Sequence, residues 1–217
     1  MNLTRLGAAL GVTIAAALTA AAPPAFAAPA SADLDFSAAP PYTGWELRHE
    51  NPAEPVVKDG MINLDERTQL TIAAGSPWLS VSNARGWAVH TKLRVDPATP
   101  NAPACAKELV GHGGQVGLVA SDGAAPTILG LNKDLICLKT VDRVINLPMN
   151  TTDRVHSYRV EGKGTQLRLL VDGREVAAVK DWSCQVQGQK CEPAPMVMLG
   201  TGDLTKAQVD HLGFTAG

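Results

Sequence analysis

The stretch "YRVEGKGTQLRLLVDGREVAAV", residues 158–179, decides the fold class of this chain. Asp172-Gly173 is a favoured central pair for a two-residue type I′ turn, because both positions of that turn need φ > 0. Such a turn pairs residues of the two flanking strands in three couples: Val171 with Arg174, Leu169 with Val176, and Leu167 with Ala178. These residues form a face that is apolar except at the tip. Arg168 and Glu175 lie diagonally on the other face, where they can form an ion pair.

The hairpin continues upstream into a meander of three strands. Gly162-Lys163-Gly164 predicts a second turn, which links "HSYRVE" (156–161) to the hairpin. "GWAVHTKLRV" (86–95) alternates apolar and polar residues with a period of two, as a half-buried strand does. Further short strands are predicted at residues 115–123, 126–132, 134–140, 195–202 and 209–216. One helical turn is predicted at residues 204–208.

The N-terminal segment predicts export from the cell. A single charge, Arg5, precedes an apolar run that two prolines end, and Ala25-Phe26-Ala27 then supplies a small-x-small cleavage pattern. We predict a signal peptide over residues 1–27, with a second possible cut after Ala30. The alternative, a membrane anchor, is disfavoured because the run is short and Ala-rich. An Ala-rich export signal of this kind is typical of a secreted bacterial protein.

The remaining chain predicts one domain. Residues 28–41 are small, polar and Pro-rich, so we predict a short leader there, in which Leu34 and Phe36 can start the first strand, and a β-sandwich domain over residues 42–217. No other long apolar run exists, so we expect no membrane insertion after signal cleavage. Many short strands with Gly- and Pro-rich turns and almost no helix predict an all-β, two-sheet antiparallel β-sandwich.

The charge balance excludes two classes of partner. Loss of Arg5 leaves 18 basic residues (19 − 1) against 21 acidic ones, a net charge of −3. The charges are mixed along the chain without a basic patch, so nucleic acid and anionic membrane are not expected partners.

The cysteines predict disulfides rather than a metal centre. An even number of cysteines in an exported chain indicates two bridges among Cys105, Cys137, Cys184 and Cys191. Cys184–Cys191 would close the short polar loop "CQVQGQKC", which leaves Cys105–Cys137, although four cysteines allow three connectivities. The spacing does not fit zinc, because Cys-x-x-Cys pairs and histidines at ligand distance are absent.

The segment "NTTDRVHSYRVEGKGTQLRLLVDGREVAAV" (150–179) resembles the concanavalin A-like lectin/glucanase superfamily, which includes laminin G-like domains. The matching features are a polar turn before His156-x-Tyr158, a glycine turn, and a strand that ends in Val171-Asp172-Gly173. The resemblance implies a jelly-roll sandwich. It implies no single activity, because this fold hosts lectins, hydrolases, lyases and adhesion modules.

Catalytic carboxylates are not recognisable. Retaining glucanases of this superfamily carry Glu-x-Asp-x-x-Glu on one strand, and this sequence has no such motif. Its nearest approach is Glu46 and Glu50 with Arg48 between them, which fits a surface ion pair better than an acid/base couple. Gly-x-Ser-x-Gly is also absent, so the sequence predicts no catalytic residue.

The resemblance implies a structural calcium. Members of the superfamily often hold calcium with an Asp of the last strand and backbone carbonyls, and Asp210 is the matching position. The alternative is an Asp that caps a strand end. Of the histidines, His112 lies in a "GHGG" loop that can approach a ligand or remain simply exposed, and His156 is expected to order the turn before its strand.

The tryptophans are the candidate ligand platforms. Sugar binding usually uses exposed aromatic faces, and this chain has few aromatic residues. Trp87 alternates with core positions and is expected to be buried. Trp78 and Trp182 lie near loops, so we predict them as ligand-stacking residues, with packing in the core as the alternative.

Together these features favour a secreted, non-catalytic module that binds a polysaccharide or cell-surface glycan. Two alternatives remain open at this point. One is a glycoside hydrolase or polysaccharide lyase with an unrecognised site, and the other is a structural or protein-binding laminin G-like domain.

Overall fold

The computed structural model describes residues 30–38, 40–50, 55–101, 114–186, 189–190 and 193–217. In chain order its first nine strands are β1 Ala30–Asp35, β2 Trp45–His49, β3 Val57–Lys58, β4 Met61–Leu64, β5 Thr68–Ile72, β6 Trp87–Val95, β7 Val116–Ser121, β8 Pro126–Asn132 and β9 Leu135–Lys139. The others are β10 Val144–Pro148, β11 His156–Lys163, β12 Gln166–Val171, β13 Arg174–Val179, β14 Gln185–Val186, β15 Gln189–Lys190, β16 Met196–Thr201 and β17 Ala207–Ala216.

Two antiparallel sheets carry the core between them. Sheet A has the order β13-β12-β11-β6-β17-β4-β3, and β1 also pairs with β17. Sheet B has the order β10-β9-β8-β7-β16-β5-β2, and β14 and β15 form a separate small ladder. The predicted two-sheet β-sandwich is therefore confirmed.

The alternating strand patterns supply the apolar layer. On β6 the side chains of Val89, Leu93 and Val95 are fully buried while Lys92 is exposed, as the period of two predicts. A line of ring contacts crosses the core and joins five aromatic side chains in the order Trp182, Trp87, Trp78, Phe214 and Trp45, with centroids 5.2–6.0 Å apart. Tilted and edge-to-face contacts of this kind stabilise a core beyond the area that they bury.

The hairpin turn is confirmed, but its register changes beyond the tip. Asp172 and Gly173 have φ of 49° and 76°, and Val171 pairs with Arg174. An irregularity between Leu169 and Leu170 then pairs Leu169 with Ala177. Such a β-bulge places one extra residue in a strand and reverses the faces beyond it.

The predicted pairings of Val176 and Ala178 are wrong for this reason. Both side chains are exposed, and Val179 is the buried residue of β13 instead. The predicted ion pair is present, with Arg168 Nη1 3.5 Å from Glu175 Oε2. Arg168 also forms an ion pair with Glu161.

The first strand corrects the predicted domain boundary. Residues 30–35, which we expected in the leader, form β1 and pair along β17 from Ala30 opposite Ala216 to Asp35 opposite His211. Leu34 and Phe36 are buried, so their side chains contribute to the core. The sandwich therefore includes residues well before position 42.

Among the residues that the structure describes, helical structure is limited to one short segment. Residues 77–80 form a 3₁₀ turn between β5 and β6, and within the described ranges no helix has the length and apolarity to cross a membrane. The helical turn predicted at residues 204–208 is wrong, because β17 already begins at Ala207.

The hairpin is anchored through its turn. His156 is buried, and its ring nitrogens lie 2.8 Å from carboxylate oxygens of Asp153 and Asp172. Asp172 also accepts hydrogen bonds from the Ser157 backbone N–H and from Arg154, each 3.0 Å long. We expected His156 to order the turn before its own strand, and its contact with Asp153 in that turn agrees; the contact with Asp172 of the hairpin turn is additional.

These contacts give a prediction for stability. Burial raises the pKa of Asp172, but hydrogen bonds from His156, Ser157 and Arg154 outweigh it and hold the pKa at about 2. Since this pKa is lower than in the unfolded chain, the stabilisation is present above pH 3.8 and is lost as pH falls towards 2. Asp172→Asn should lower the free energy of unfolding by about 1 kcal/mol at pH 7, a figure reduced for the 36% exposure of the side chain.

Urea unfolding at pH 7 and at pH 2 tests this expectation, and the difference between variant and parent should shrink at the lower pH. Asp59→Asn is a matched control, because Asp59-Gly60 is another turn with φ of 54° and 75°. A loss from Asp172→Asn that is equal at both pH values would contradict the electrostatic explanation.

Candidate functional site

The two tryptophans predicted as ligand platforms are core residues. Trp78 is 0% exposed and Trp182 is 2% exposed. Trp78 Nε1 donates a 2.8 Å hydrogen bond to the Ser121 carbonyl oxygen. Neither ring offers a free face for stacking on a sugar, so this prediction is wrong and the alternative of core packing holds.

Asp210 lies at an irregularity in β17. The pairing with β6 shifts between Val209 and His211, which leaves Asp210 as the extra residue. Calcium needs six to eight oxygen ligands, and among the described residues Asp210 belongs to no group of three acidic or histidine side chains in ligand geometry. Calcium at Asp210 therefore stays a prediction.

The cysteines are partly described. Cys137 and Cys184 are buried, and neither is a free thiol. Cys105 and Cys191 lie outside the described residues, as does His112 of the "GHGG" loop. The pairing Cys105–Cys137 with Cys184–Cys191 therefore stays a prediction.

Sheet B holds a single acidic side chain in its strands. Of the residues in its seven strands, Glu46 is the only Asp or Glu. Arg48 Nη2 lies 2.7 Å from Glu46 Oε2, as predicted, whereas Glu50 pairs with Arg67 at 2.7 Å. The strands of this sheet therefore present no pair of carboxylates that converge on one substrate bond.

A groove of about 610 Å³ follows β2, the edge strand of sheet B. The described residues that line it come from the segment before β2, from β2 itself and from Pro55; they are Pro40, Pro41, Tyr42, Trp45, Glu46, Leu47, Arg48, His49 and Pro55. Tyr42 and Trp45 are mostly buried and contribute apolar wall. The Arg48–Glu46 ion pair contributes charge of both signs.

Two polar atoms of the groove residues lack partners. The Tyr42 hydroxyl and the Trp45 indole N–H are buried and make no hydrogen bond to the part of the chain that the structure describes. Burial raises the pKa of the Tyr42 hydroxyl, which therefore remains a hydrogen-bond donor at neutral pH. A buried donor without an acceptor costs about 1–3 kcal/mol, which a ligand oxygen can recover.

A second polar cluster lies on the outer face of sheet A. His90 Nε2 is 2.9 Å from Asp33 Oδ1 and 3.0 Å from His211 Nε2, and His211 Nε2 is 3.3 Å from the same Asp33 oxygen. The two imidazole rings stack with centroids 5.0 Å apart. Burial lowers the pKa of His90, which favours its neutral form. A pocket of about 260 Å³ adjoins both rings.

Gly213 makes room for this cluster. It lies on β17 directly opposite His90 on β6 and Asp33 on β1. A Cβ at this position would lie 2.2 Å from Asp33 Oδ1 and 2.8 Å from His90 Nε2. Only glycine therefore allows the three side chains to converge above this strand.

Sequence reasoning missed both of these sites. The period of two placed His90 on the polar face of its strand, which is correct, but the pairing of β6 with β17 is not visible in the sequence. Asp33 fell in the predicted leader. Tyr42 and Arg48 lacked any motif, because a groove along an edge strand depends on the tertiary structure.

Comparisons with known proteins identify the fold and nothing finer. No family model matches the chain, and no curated protein matches it in sequence. Three similar solved structures are the apo Crh5 transglycosylase, a prokaryotic β-1,3-1,4-glucanase (lichenase) derived from a mouse hindgut metagenome, and the Emp47p carbohydrate recognition domain.

The likeness is extensive in structure and low in sequence. The transglycosylase gives a TM-score of 0.59 at 12% identity, with 88% of each chain covered. The lichenase gives 0.55 at 11% identity, over 85% of this chain and 98% of the other. The Emp47p domain gives 0.52 at 10% identity, over 84% of this chain and 92% of the other.

Proposed function

We propose that this concanavalin A-like jelly roll, a fold that it shares with solved glucanase and carbohydrate-recognition structures, is an exported module that binds carbohydrate without cleaving it. The observation that carries the proposal is the groove along β2. It combines apolar wall, charged groups and two buried hydrogen-bond donors, of Tyr42 and Trp45, that have no partner among the described residues. Ligand pockets generally combine apolar surface with a few placed polar groups.

The same groove argues against hydrolysis. Glycosidases need two carboxyl groups about 5–10 Å apart on either side of the scissile bond. Glu46 is the only carboxylate among the described residues that line the groove, and it is paired with Arg48. The ion pair favours the ionised carboxylate, so Glu46 is poorly suited to donate a proton.

The ligand would be held by hydrogen bonds more than by ring stacking. Tyr42 and Trp45 are too deeply buried to present a ring face, and their polar atoms are buried too, so a ligand would reach these donors only when the groove wall adjusts. Arg48 offers further donors at the groove wall, and the free edge of β2 offers backbone groups. An extended, hydroxyl-rich oligosaccharide chain matches a linear arrangement of this kind.

Tyr42→Phe tests the groove with the smallest change available. It removes one hydroxyl and keeps the ring, so we expect binding to a glycan found on an array to weaken about 5–10-fold. Tyr158→Phe is the matched control, because Tyr158 also carries a buried hydroxyl without a partner among the described residues but lies in sheet A, away from the groove. Isothermal titration of both variants with the same oligosaccharide measures the difference.

The outcomes separate the alternatives. If glycan binding weakens equally in both variants, or does not weaken in Tyr42→Phe, the glycan does not bind in the groove along β2. Failure to bind any glycan would favour the structural or protein-binding alternative. Release of reducing ends from a bound polysaccharide would favour the enzyme, a candidate that the likeness to a transglycosylase and a lichenase keeps in view.

A further inference from the structure

The three contacts of the Asp33–His90–His211 cluster cannot all be hydrogen bonds. A carboxylate oxygen only accepts, and each imidazole nitrogen either donates or accepts. The contacts of His90 and His211 with Asp33 require both nitrogens to donate, yet the contact between the two nitrogens requires one of them to accept. A proton on His90 Nε2 shared between Asp33 and His211 satisfies two contacts but leaves two acceptors, Asp33 Oδ1 and His211 Nε2, facing each other at 3.3 Å.

A cation at the centre resolves this conflict. Zinc lies about 2.0–2.2 Å from imidazole nitrogen and carboxylate oxygen, so ligand atoms of one tetrahedral ion lie about 3.3–3.6 Å apart. The three atoms of the cluster are separated by 2.9, 3.0 and 3.3 Å. These separations are up to about 0.4 Å shorter than those around a tetrahedral ion, so the three side chains would move apart slightly to bind one.

The surrounding residues leave space for an ion and for access to it. Gly213 leaves open the volume under Asp33 and His90 that any side chain would fill. Asp33 is 54% exposed, so one side of the cluster faces solvent.

The nearby charges are balanced. Asp35 pairs with His211 in the β1–β17 ladder and adds a second carboxylate, whereas Lys92 and Arg159 line the adjoining pocket. Arg159 is itself paired with Glu161 at 2.7 Å. Lys92, opposite His211 in the β6–β17 ladder, has no ion pair among the described residues, and the carboxylates of Asp33 and Asp35 offset its charge.

We propose that Asp33, His90 and His211 form a binding site for a divalent transition metal, with Zn²⁺ as the expected ion and at least one coordination position open to solvent. Two imidazoles and a carboxylate suit Zn²⁺, Ni²⁺ or Cu²⁺ rather than Ca²⁺. This site is therefore separate in chemistry from calcium at Asp210. It lies on sheet A, so it does not depend on the proposed glycan groove.

Metal titration of the exported protein, produced without an affinity tag and stripped with a chelator, tests the proposal. We expect one equivalent of Zn²⁺ to bind with saturation in isothermal titration, and Co²⁺ to give visible d–d absorption at the same stoichiometry. Excess Ca²⁺ should not compete. Zn²⁺ should also raise the melting temperature, because it binds only the folded state.

Three variants locate the ion. Asp33→Asn and His211→Gln each remove a ligand, and each should weaken Zn²⁺ binding about 100-fold or more. Gly213→Ala keeps all three ligands but fills their space, and should weaken binding similarly. His49→Gln is the control, because it removes an imidazole from sheet B and should bind as the parent does.

Circular dichroism and thermal melting of each metal-free variant show whether that variant folds. If His211→Gln and Gly213→Ala do not fold, Asp33→Asn alone decides whether the cluster binds Zn²⁺. Asp33 is at the surface of its strand, so its amide variant is expected to fold. Absence of saturable binding, or equal Zn²⁺ affinity in the parent and Asp33→Asn, would overturn the proposal. Loss of binding in Asp33→Asn with retention in His49→Gln would support it.

Discussion

Trp78→Ala should lower the free energy of unfolding by about 3–5 kcal/mol, the range for removal of a large aromatic side chain from a core. Trp78 is fully buried, and its ring contacts Trp87 and Phe214 at centroid distances of 5.4 and 5.2 Å. The variant also leaves the Ser121 carbonyl oxygen without its 2.8 Å hydrogen bond. Urea unfolding followed by circular dichroism measures the loss.

Leu79→Ala provides a control on the same 3₁₀ turn. Leu79 is 48% exposed, so its truncation should change the unfolding free energy by less than about 1 kcal/mol. Under the proposed function, the Trp78→Ala variant should bind a glycan with the same affinity as the parent at a temperature where the variant remains folded. Loss of binding without loss of stability would instead restore Trp78 as a ligand-contacting residue.

The outcome at Trp78 shows which features a sequence can reveal. The Asp172-Gly173 turn was predictable because turn type depends on the residues of the turn itself. Trp78 follows Ser76-Pro77, which has the composition of a loop, yet the turn is 3₁₀ and directs the ring inward. Nothing local distinguishes an inward from an outward ring on such a turn.

The hairpin register shows the same limit on a smaller scale. Local alternation assigned Val176 to the apolar face, and the bulge near Leu169 and Leu170 exposed it. The position of a bulge depends on how a strand fits the rest of the sheet, so the sequence of the hairpin alone does not determine that position.

The Asp33–His90–His211 cluster was even harder to predict from the sequence. Asp33 lies 57 positions from His90, which lies 121 positions from His211. Their meeting depends on β1 and β6 flanking β17, with Gly213 between them. A single sequence reports that each residue sits in a strand, but it does not report which strands are neighbours.

Gly162→Ala should lower the free energy of unfolding by about 1–3 kcal/mol or more, as overpacking of a core does. We expected Gly162 in a turn, but it lies in β11 directly opposite Trp87. A Cβ there would lie 2.4 Å from two carbons of the Trp87 ring. Inside a strand, glycine normally stabilises the folded state less than alanine does. A loss of stability on Gly162→Ala would therefore be opposite to the intrinsic backbone preference.

The Trp87 ring contacts neighbours on several sides, so moving it away from a Cβ at position 162 would cost stability. Its Nε1 donates a 2.8 Å hydrogen bond to Asp122, and its ring packs against Trp78 and Trp182. In a Trp87→Phe background the smaller ring leaves space, so Gly162→Ala should become neutral or slightly stabilising. A coupling energy near 2 kcal/mol from this double-mutant cycle is the expected result. Additive effects of the two substitutions would instead show that the alanine methyl is accommodated by a backbone shift, and that glycine at position 162 is not required by the tryptophan.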